Sequence, residues 1–449
     1  MRRWPPAIAL GACLLAAGAA ACAQDAGAAA AMGGGTAALK GGDAAAAMGG
    51  DAAAASEGGA PGWRERLNVS GSLRGAAWSS TRDLDDRRDI GSAAAWLRAA
   101  PKLGERATLA VEGWSRNDRG RARARLREAY VDVRTGSIDL RLGQQIIAWG
   151  RADELNPTDN LSPRDFTLLT PENGDQRLGT VGARMAVHAG DTVLTAAWLP
   201  RFRSNVFPVP VTPGARIRRD VPERDGGALK LERTGTPVEG SVSVYDGLDP
   251  NPDLELLGAG PGGIDLVLRN HPIRVLGADV ATVAGRWGLR AEAAYTWTRH
   301  DALQRPLVKK PFFYGVAGVD RTFDNGLYLN VQVYLRRVSG FTDPGAIPDA
   351  LLQAVAVQSA LTANQRHREE HGLSLRVSNR WLNDTLEAEL VSVVSATRGD
   401  QVWQGRVRYA INDQLKLTLG LDRFRGGDDT YYGRLRRNSA SYAEVKVAF

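Results

Sequence analysis

The side chains best suited to covalent or metal chemistry are few: five histidines, two cysteines and the hydroxyls near them. His371-Gly372-Leu373-Ser374 sets an imidazole three residues from a hydroxyl, the two ingredients of an activated nucleophile. Spacing alone assigns neither a base nor a nucleophile until geometry brings them together. His367-Arg368-Glu369-Glu370-His371 has two histidines four apart, but Arg368 follows the first, where a helical zinc site needs a glutamate. Cys13 and Cys22 both fall within residues 1–23, which read as a cleaved leader. The mature chain is therefore expected to have no disulfide, thiol chemistry or cysteine-held metal. No catalytic residue, metal site or cofactor is expected, and the chain is not read as an enzyme.

Fixed charge is more informative. Arg376, Arg380, Arg406 and Arg408 fall on neighbouring segments and share a face, the best candidate for an electropositive strip lining a lumen. Arg141, Arg290, Arg336 and Lys416 share that face with Glu112, Glu128, Asp132, Glu232, Glu292, Glu387, Glu389 and Glu444. In a channel such charges tune which solutes pass. As cross-strand ion pairs they stiffen the wall instead. A formal net charge of +7 over 449 residues is too modest for a nucleic-acid footprint and suits an anionic membrane surface.

Strands must hold these charges. Leu327, Leu329, Val331, Val333 and Leu335 alternate with Tyr328, Asn330, Gln332, Tyr334 and Arg336, and segments of about ten residues repeat this pattern along the chain. No apolar run after Pro61 approaches the length of a spanning helix. Strands are expected near 66–79, 90–100, 105–115, 124–134, 137–149, 178–188, 191–199, 226–234 and 238–246. Further strands are expected near 272–283, 287–299, 313–322, 326–338, 371–381, 385–396, 401–411, 414–424 and 439–449. Short turns follow every second strand and long loops fill most other gaps, the asymmetry of an outer-membrane barrel. The expected fold is all-β, a transmembrane antiparallel β-barrel of about 18 strands, or 16 if the weak segments near 238 and 272 are not strands. A soluble sandwich or propeller also alternates, but its polar face meets solvent and it needs no apolar outer face.

The chain ends Tyr442-Ala443-Glu444-Val445-Lys446-Val447-Ala448-Phe449. An alternating final strand with an aromatic terminus resembles the assembly signal of bacterial outer-membrane barrels, with Tyr442 and Phe449 as its aromatics. That implies the barrel assembly machinery as a partner. The strand should pair with the one near 66–79, with Val445, Val447 and Phe449 facing lipid and Glu444 and Lys446 facing the lumen. Trp78, Trp114, Trp149, Trp198, Trp297 and Trp381 lie near strand ends and are expected in the interfacial girdles.

Three loops stand out. Residues 150–174 carry three X-Pro pairs and apolar Phe166, Leu168 and Leu169, and lie either over the barrel mouth or inside it as a constriction. Residues 346–364 have Ile347, Leu351, Ala354, Val355, Gln358 and Leu361 at helical spacing. Residues 201–224, with Arg216, Arg218 and Arg219, suit contact with lipopolysaccharide phosphates and outer-membrane lipids. At the other end, residues 1–23 have a signal-peptide pattern, with Cys22 also open to reading as a degenerate lipidation site. Residues 24–61 are almost wholly Ala, Gly and a few Asp, and are expected to form a disordered periplasmic segment ahead of a barrel over 62–449.

One series is more specific. Leu126-Arg127-Glu128-Ala129-Tyr130-Val131-Asp132-Val133, Ile138-Asp139-Leu140-Arg141-Leu142-Gly143-Gln144-Gln145 and Trp149-Gly150-Arg151-Ala152-Asp153 follow one another, with Asn156-Pro157, Ser162-Pro163-Arg164-Asp165 and Arg177-Leu178-Gly179. Over about residues 124–180 this resembles an uncharacterised proteobacterial outer-membrane barrel family, a domain of unknown function. Its strand-turn-strand part is also similar to phosphate-selective and alginate-export porins. The resemblance implies a barrel whose relatives handle hydrophobic molecules together with an inner-membrane exporter. It marks Glu128, Tyr130, Gly143, Gln144, Gln145, Trp149, Gly150, Asp153, Asn156, Pro157 and Asp165 as a mouth-loop motif. Physically, Gly143 and Gly150 ease bends, and Gln144, Gln145, Asp153 and Asn156 can hydrogen-bond loop backbone. The pairing of His371 with Ser374 is similar to that of outer-membrane phospholipases, but the Asn-rich and Gly-rich surroundings of that family are absent.

The expected function is passive solute transport through an outer-membrane channel. The alternatives are a route for hydrophobic or lipid-like molecules working with an inner-membrane transporter, and a non-conducting structural barrel. No nucleic-acid partner is expected.

Overall fold

The computed structural model describes residues 62–80, 88–118, 120–153, 155–207, 214–235, 237–298 and 305–449. The expected signal peptide and Ala/Gly-rich segment lie outside the described residues. A short helix, α1 (Trp63–Leu67), precedes β1 (Val69–Ser80), β2 (Asp89–Ala99), β3 (Ala107–Asp118), β4 (Arg121–Thr135), β5 (Ile138–Gln145), β6 (Thr180–Ala189) and β7 (Thr192–Leu199). Next come β8 (Ala215–Asp220), β9 (Gly226–Arg233), β10 (Val238–Leu248), β11 (Asp253–Gly260), β12 (Gly263–Arg269), β13 (Pro272–Ala284), β14 (Trp287–Trp297) and β15 (Phe312–Thr322). Then follow β16 (Tyr328–Val338), helix α2 (Ala350–Thr362), β17 (Glu369–Trp381), β18 (Leu386–Ser395), β19 (Asp400–Ala410), β20 (Leu415–Arg425) and β21 (Ala440–Ala448).

Eighteen of these strands form one antiparallel sheet in which each pairs with the next in the chain, β7 reaching β9 and β10 reaching β13. The last strand, β21, pairs with β1 and closes the sheet into a barrel. Closure removes the two free edges that so long a sheet would otherwise expose. The segments near 238 and 272 are full strands, so the count is 18. Along β16 the side chains of Asn330, Gln332 and Tyr334 are buried inside, while Val333 and Leu335 lie exposed on the outer wall. Exposed leucines and valines recur on the outside of nearly every strand, the apolar belt of a barrel that spans a membrane.

Closure takes the geometry expected of the final strand. Trp78 lies opposite Tyr442, and Val445 and Val447 face outward while Glu444 is buried inside. Beyond β21, the Phe449 amide donates to Gly71 O at 3.0 Å, and the Gly71 amide donates to Phe449 O at 2.9 Å. The tryptophans divide between the two sides of the wall. Trp198, Trp297 and Trp381 are exposed on the outer wall, but Trp78, Trp114 and Trp149 are buried on the inner side. For those three the girdle expectation is corrected: Trp78 and Trp114 share a strand face with the lumen charges, which a side chain cannot leave without a register slip, and Trp149 lies past the end of β5 and packs against the inner wall.

The long loops fall on one side of the barrel and build a second layer there. β8, β11 and β12 form a three-stranded sheet, antiparallel between β11 and β12 and parallel between β12 and β8. Its Leu254, Ile264, Leu266 and Leu268 bury against Val355 and Ala356 of α2 and Leu307. The α2 helix starts where Asp349 accepts a hydrogen bond from the Leu352 amide, a side-chain cap for an otherwise unpaired donor.

Candidate solute path through the lumen

Residues 146–179, between β5 and β6, turn into the barrel. Their departure is set by the last turn of the wall. Gly143 has φ +129° and lies so near the Ala129 carbonyl that a Cβ there would be 2.3 Å from its oxygen. The chain thus bends where only glycine fits. Gln144 donates to the carbonyls of Leu126 at 2.8 Å and Arg127 at 3.0 Å, and the fully buried Gln145 donates to Gly182 O. The Glu128 carboxylate accepts from the Ile146 amide at 2.8 Å. Tyr130 lies under the Arg141 guanidinium, which also pairs with Asp132 at 2.9 Å. Gly150, at φ +101°, packs directly on Asn156, whose amide donates to Trp149 O at 2.7 Å. Pro157 is buried beside it.

The loop then spans the lumen. Arg151 reaches three carboxylates on adjacent strands: Glu232 at 2.7 Å, Glu239 at 2.9 Å and Asp279 at 2.7 Å. Glu292 on β14 accepts from the amides of Arg151, Ala152 and Thr158 and from the Thr158 hydroxyl. Asp153 accepts from Asn330 at 2.5 Å and Tyr328 at 3.4 Å, with Arg290 3.8 Å away. On the opposite wall Asp175 pairs with Arg74 at 2.5 Å, Glu172 with Arg408 at 3.3 Å, and the buried Asp165 with Arg125 at 3.2 Å. Within the loop, Arg177 and Arg164 pair with buried Asp159. Burial would raise that carboxyl, but Arg177 and then Arg164 outweigh it and hold it below the usual carboxylate range.

Magnitudes separate anchor from register. Ile147, Trp149 and Leu161 bury against Ala197, Ala228, Tyr245, Ile273 and Val275 of the wall. Across the lumen Leu168 packs on Trp96 and Trp114, and Leu169 beside Trp78 and Tyr442. Each such side chain stabilises the docked loop by about 1.5–3 kcal/mol. Ion pairs inside proteins lose much of their attraction to desolvation. Apolar packing therefore holds the loop in place, while the charges fix where along the wall it sits.

No family model matches the chain, and no curated protein matches it in sequence. Among solved structures it is similar to Pseudomonas aeruginosa OccK5 (OpdH), at a TM-score of 0.50 and 10% identity, covering 86% of this chain and 98% of that one. It is similar to P. aeruginosa OccK11 (OpdR) at a TM-score of 0.50 and 11% identity, covering 85% of this chain and 95% of that one. The fold is that of a porin-type outer-membrane barrel. At such identities the likeness is one of fold alone.

In this porin-type barrel the four strip arginines meet on β17 and β19, with β18 between them. Glu389 receives Arg376 at 2.5 Å, Arg406 at 3.3 Å and Arg408 at 3.6 Å, while Glu387 receives Arg408 at 2.9 Å and Arg380 at 3.4 Å. The strip is thus interleaved with acid: four guanidiniums against Glu387, Glu389 and Asp422 of the wall and the loop's Glu172. Arg380 is half-exposed at the turn end of β17, away from the constricting loop.

The histidines do other things. His371 is exposed on the outer wall and contacts Thr397 Oγ at 3.1 Å, whereas Ser374 is buried on the inner face. They lie on opposite sides of β17 and cannot act as a pair. His271 contacts Glu255 at 2.7 Å and His188 contacts Asp139 at 3.0 Å; His300 lies outside the described residues. Residues 201–224 hold β8, where Arg216 pairs with Asp265 of β12 and Arg219 donates to Phe207 O. Arg151, the loop's most connected side chain, carries no local sign of its role, because its three partners lie 81, 88 and 128 residues away.

Proposed function

We propose that the chain is a channel of the outer membrane of a Gram-negative bacterium, carrying small polar solutes passively through a lumen narrowed by residues 146–179. The observation that carries this reading is the loop itself. It spans the lumen from the acidic wall at Glu232, Glu239 and Asp279 to the basic wall at Arg74, Arg125 and Arg408. A solute passing it meets fixed charges of both signs. The four arginines of β17 and β19 are the feature of this wall that favours anions among those solutes.

Apolar anchoring of the loop on both walls supports a second reading, a barrel whose lumen stays plugged. A route for hydrophobic cargo working with an inner-membrane exporter rests on the motif resemblance over residues 124–180. The barrel assembly machinery, acting on the strand ending in Phe449, and lipopolysaccharide are the partners that belong to the channel reading. A swelling assay on liposomes carrying the folded protein separates these readings. Small anions should enter fastest, cations of equal size more slowly, and large apolar solutes not at all. Absence of swelling with every solute would favour the plugged barrel, and selective entry of apolar solutes the exporter route.

A further inference from the structure

The outer wall carries arginines where the apolar belt gives way to the loops, and most have carboxylate partners. Arg274 pairs with Asp246 at 2.5 Å, and Arg224 shares that carboxylate; Arg337 pairs with Glu369 at 3.3 Å. On β20 the pattern breaks. The outward face of that strand reads Leu415, Leu417, Leu419, Leu421, Arg423, Arg425, four leucines and then two arginines. Both arginines are exposed, and among the described residues neither makes an ion pair. The one hydrogen bond of Arg423 is a long one, 3.5 Å, to the backbone oxygen of Asp422, whose own side chain lies on the opposite, inner face. Two residues apart on one face of a strand, their Cα atoms stand about 7 Å from each other, so both guanidiniums can reach one headgroup. Trp403 of β19 lies directly opposite Arg423 and turns its ring outward, with its indole N–H held by Gln401 at 2.9 Å. The following loop adds Arg434, Arg436 and Arg437 against Asp428 and Asp429, so this sector of the rim is net positive.

From this geometry we infer that Arg423 and Arg425 form a binding site for the phosphate groups of an outer-leaflet lipid. A guanidinium pair just above four leucines matches a molecule whose acyl chains lie along the wall and whose phosphate sits at the interface. Trp403 supplies the ring that prefers the same depth. Among the described residues no carboxylate pairs with Arg423 or Arg425, whereas Arg436 of the following loop has Asp428 at 2.6 Å, and the lipid phosphate takes the place of such a partner. Of the loop arginines expected to meet the same phosphates, Arg216 has Asp265 as a partner, and the β20 pair is a separate site on a different element.

This inference rests on the membrane-barrel reading, and the test separates the two. The full-length protein is folded in detergent, its heat-modifiable mobility is recorded, and diphosphoryl lipid A in micelles is titrated while bound lipid is counted by native mass spectrometry. Wild type should bind saturably. The Arg423→Gln/Arg425→Gln variant should bind at least tenfold more weakly with unchanged mobility, and Arg337→Gln should bind as wild type. Dephosphorylated lipid A should bind wild type and double variant equally weakly. Equal affinity of double variant and wild type for the phosphorylated lipid would overturn the site, as would displacement of lipid by millimolar inorganic phosphate. A protein without heat-modifiable mobility would instead overturn the barrel reading, and the site with it.

Discussion

Arg151 is the side chain on which the constriction turns. It satisfies three carboxylates at once, and its backbone amide is held by a fourth, Glu292. Replacing it with alanine leaves Glu232, Glu239 and Asp279 facing each other with the guanidinium gone, although the apolar anchors of the loop remain. Arg151→Ala is therefore expected to raise single-channel conductance and shift the reversal potential in a salt gradient toward cations. Arg151→Lys, which keeps the charge but not the fork, should fall between it and wild type. Unchanged selectivity in the alanine variant would mean that solutes do not pass this wall. In the motif the bend at Gly143 follows from its residue type, but Gln144 and Gln145, expected to bond loop backbone, bond carbonyls of β4 and β6 in the wall instead. Arg151 stands in the same motif, but a contact made with three strands far along the chain leaves no local pattern. The inward turn of Trp78 and Trp114 was masked similarly, since nearness to a strand end says nothing of the face on which a ring lies.

Among elements, the barrel strands were legible and the outer layer was not. Alternation is a local property, and most barrel strands carry it, β16 and β20 most clearly. The α2 helix was readable from its apolar spacing. In contrast, β12 contains Leu266-Val267-Leu268, three consecutive apolar residues buried on both faces between its neighbours and the packed helix. A strand covered on both sides loses its alternation and reads like any short apolar run. The same burial makes it sensitive. Leu266 is wholly inaccessible, and Leu266→Ala should cost the outer layer about 2–5 kcal/mol. Limited proteolysis checks this: cleavage within 249–271 and 350–362 should accelerate while the heat-modifiable barrel band persists. Loss of the barrel band as well would show that the layer and the barrel fold as one unit.

For the whole molecule, closure depends on its last strand. Phe449 exchanges two backbone hydrogen bonds with Gly71 and packs its ring against that glycine, with the Arg64 guanidinium 5.6 Å away. Deleting Phe449 removes the final pairing and the terminal aromatic, and folded protein in the membrane fraction should fall severalfold when expressed in a Gram-negative host. An undiminished heat-modifiable band would contradict this. Strand order and closure were legible from the sequence because neighbours in the barrel are neighbours in the chain. The filling of the lumen was not, because it is decided by where residues 146–179 dock. The central claim, that a path remains open past that loop, is tested most directly by single-channel recording of the purified protein in planar bilayers. Stepwise conductance increments with ohmic open levels are the expected result. Repeated insertion of folded protein without any current step would contradict it.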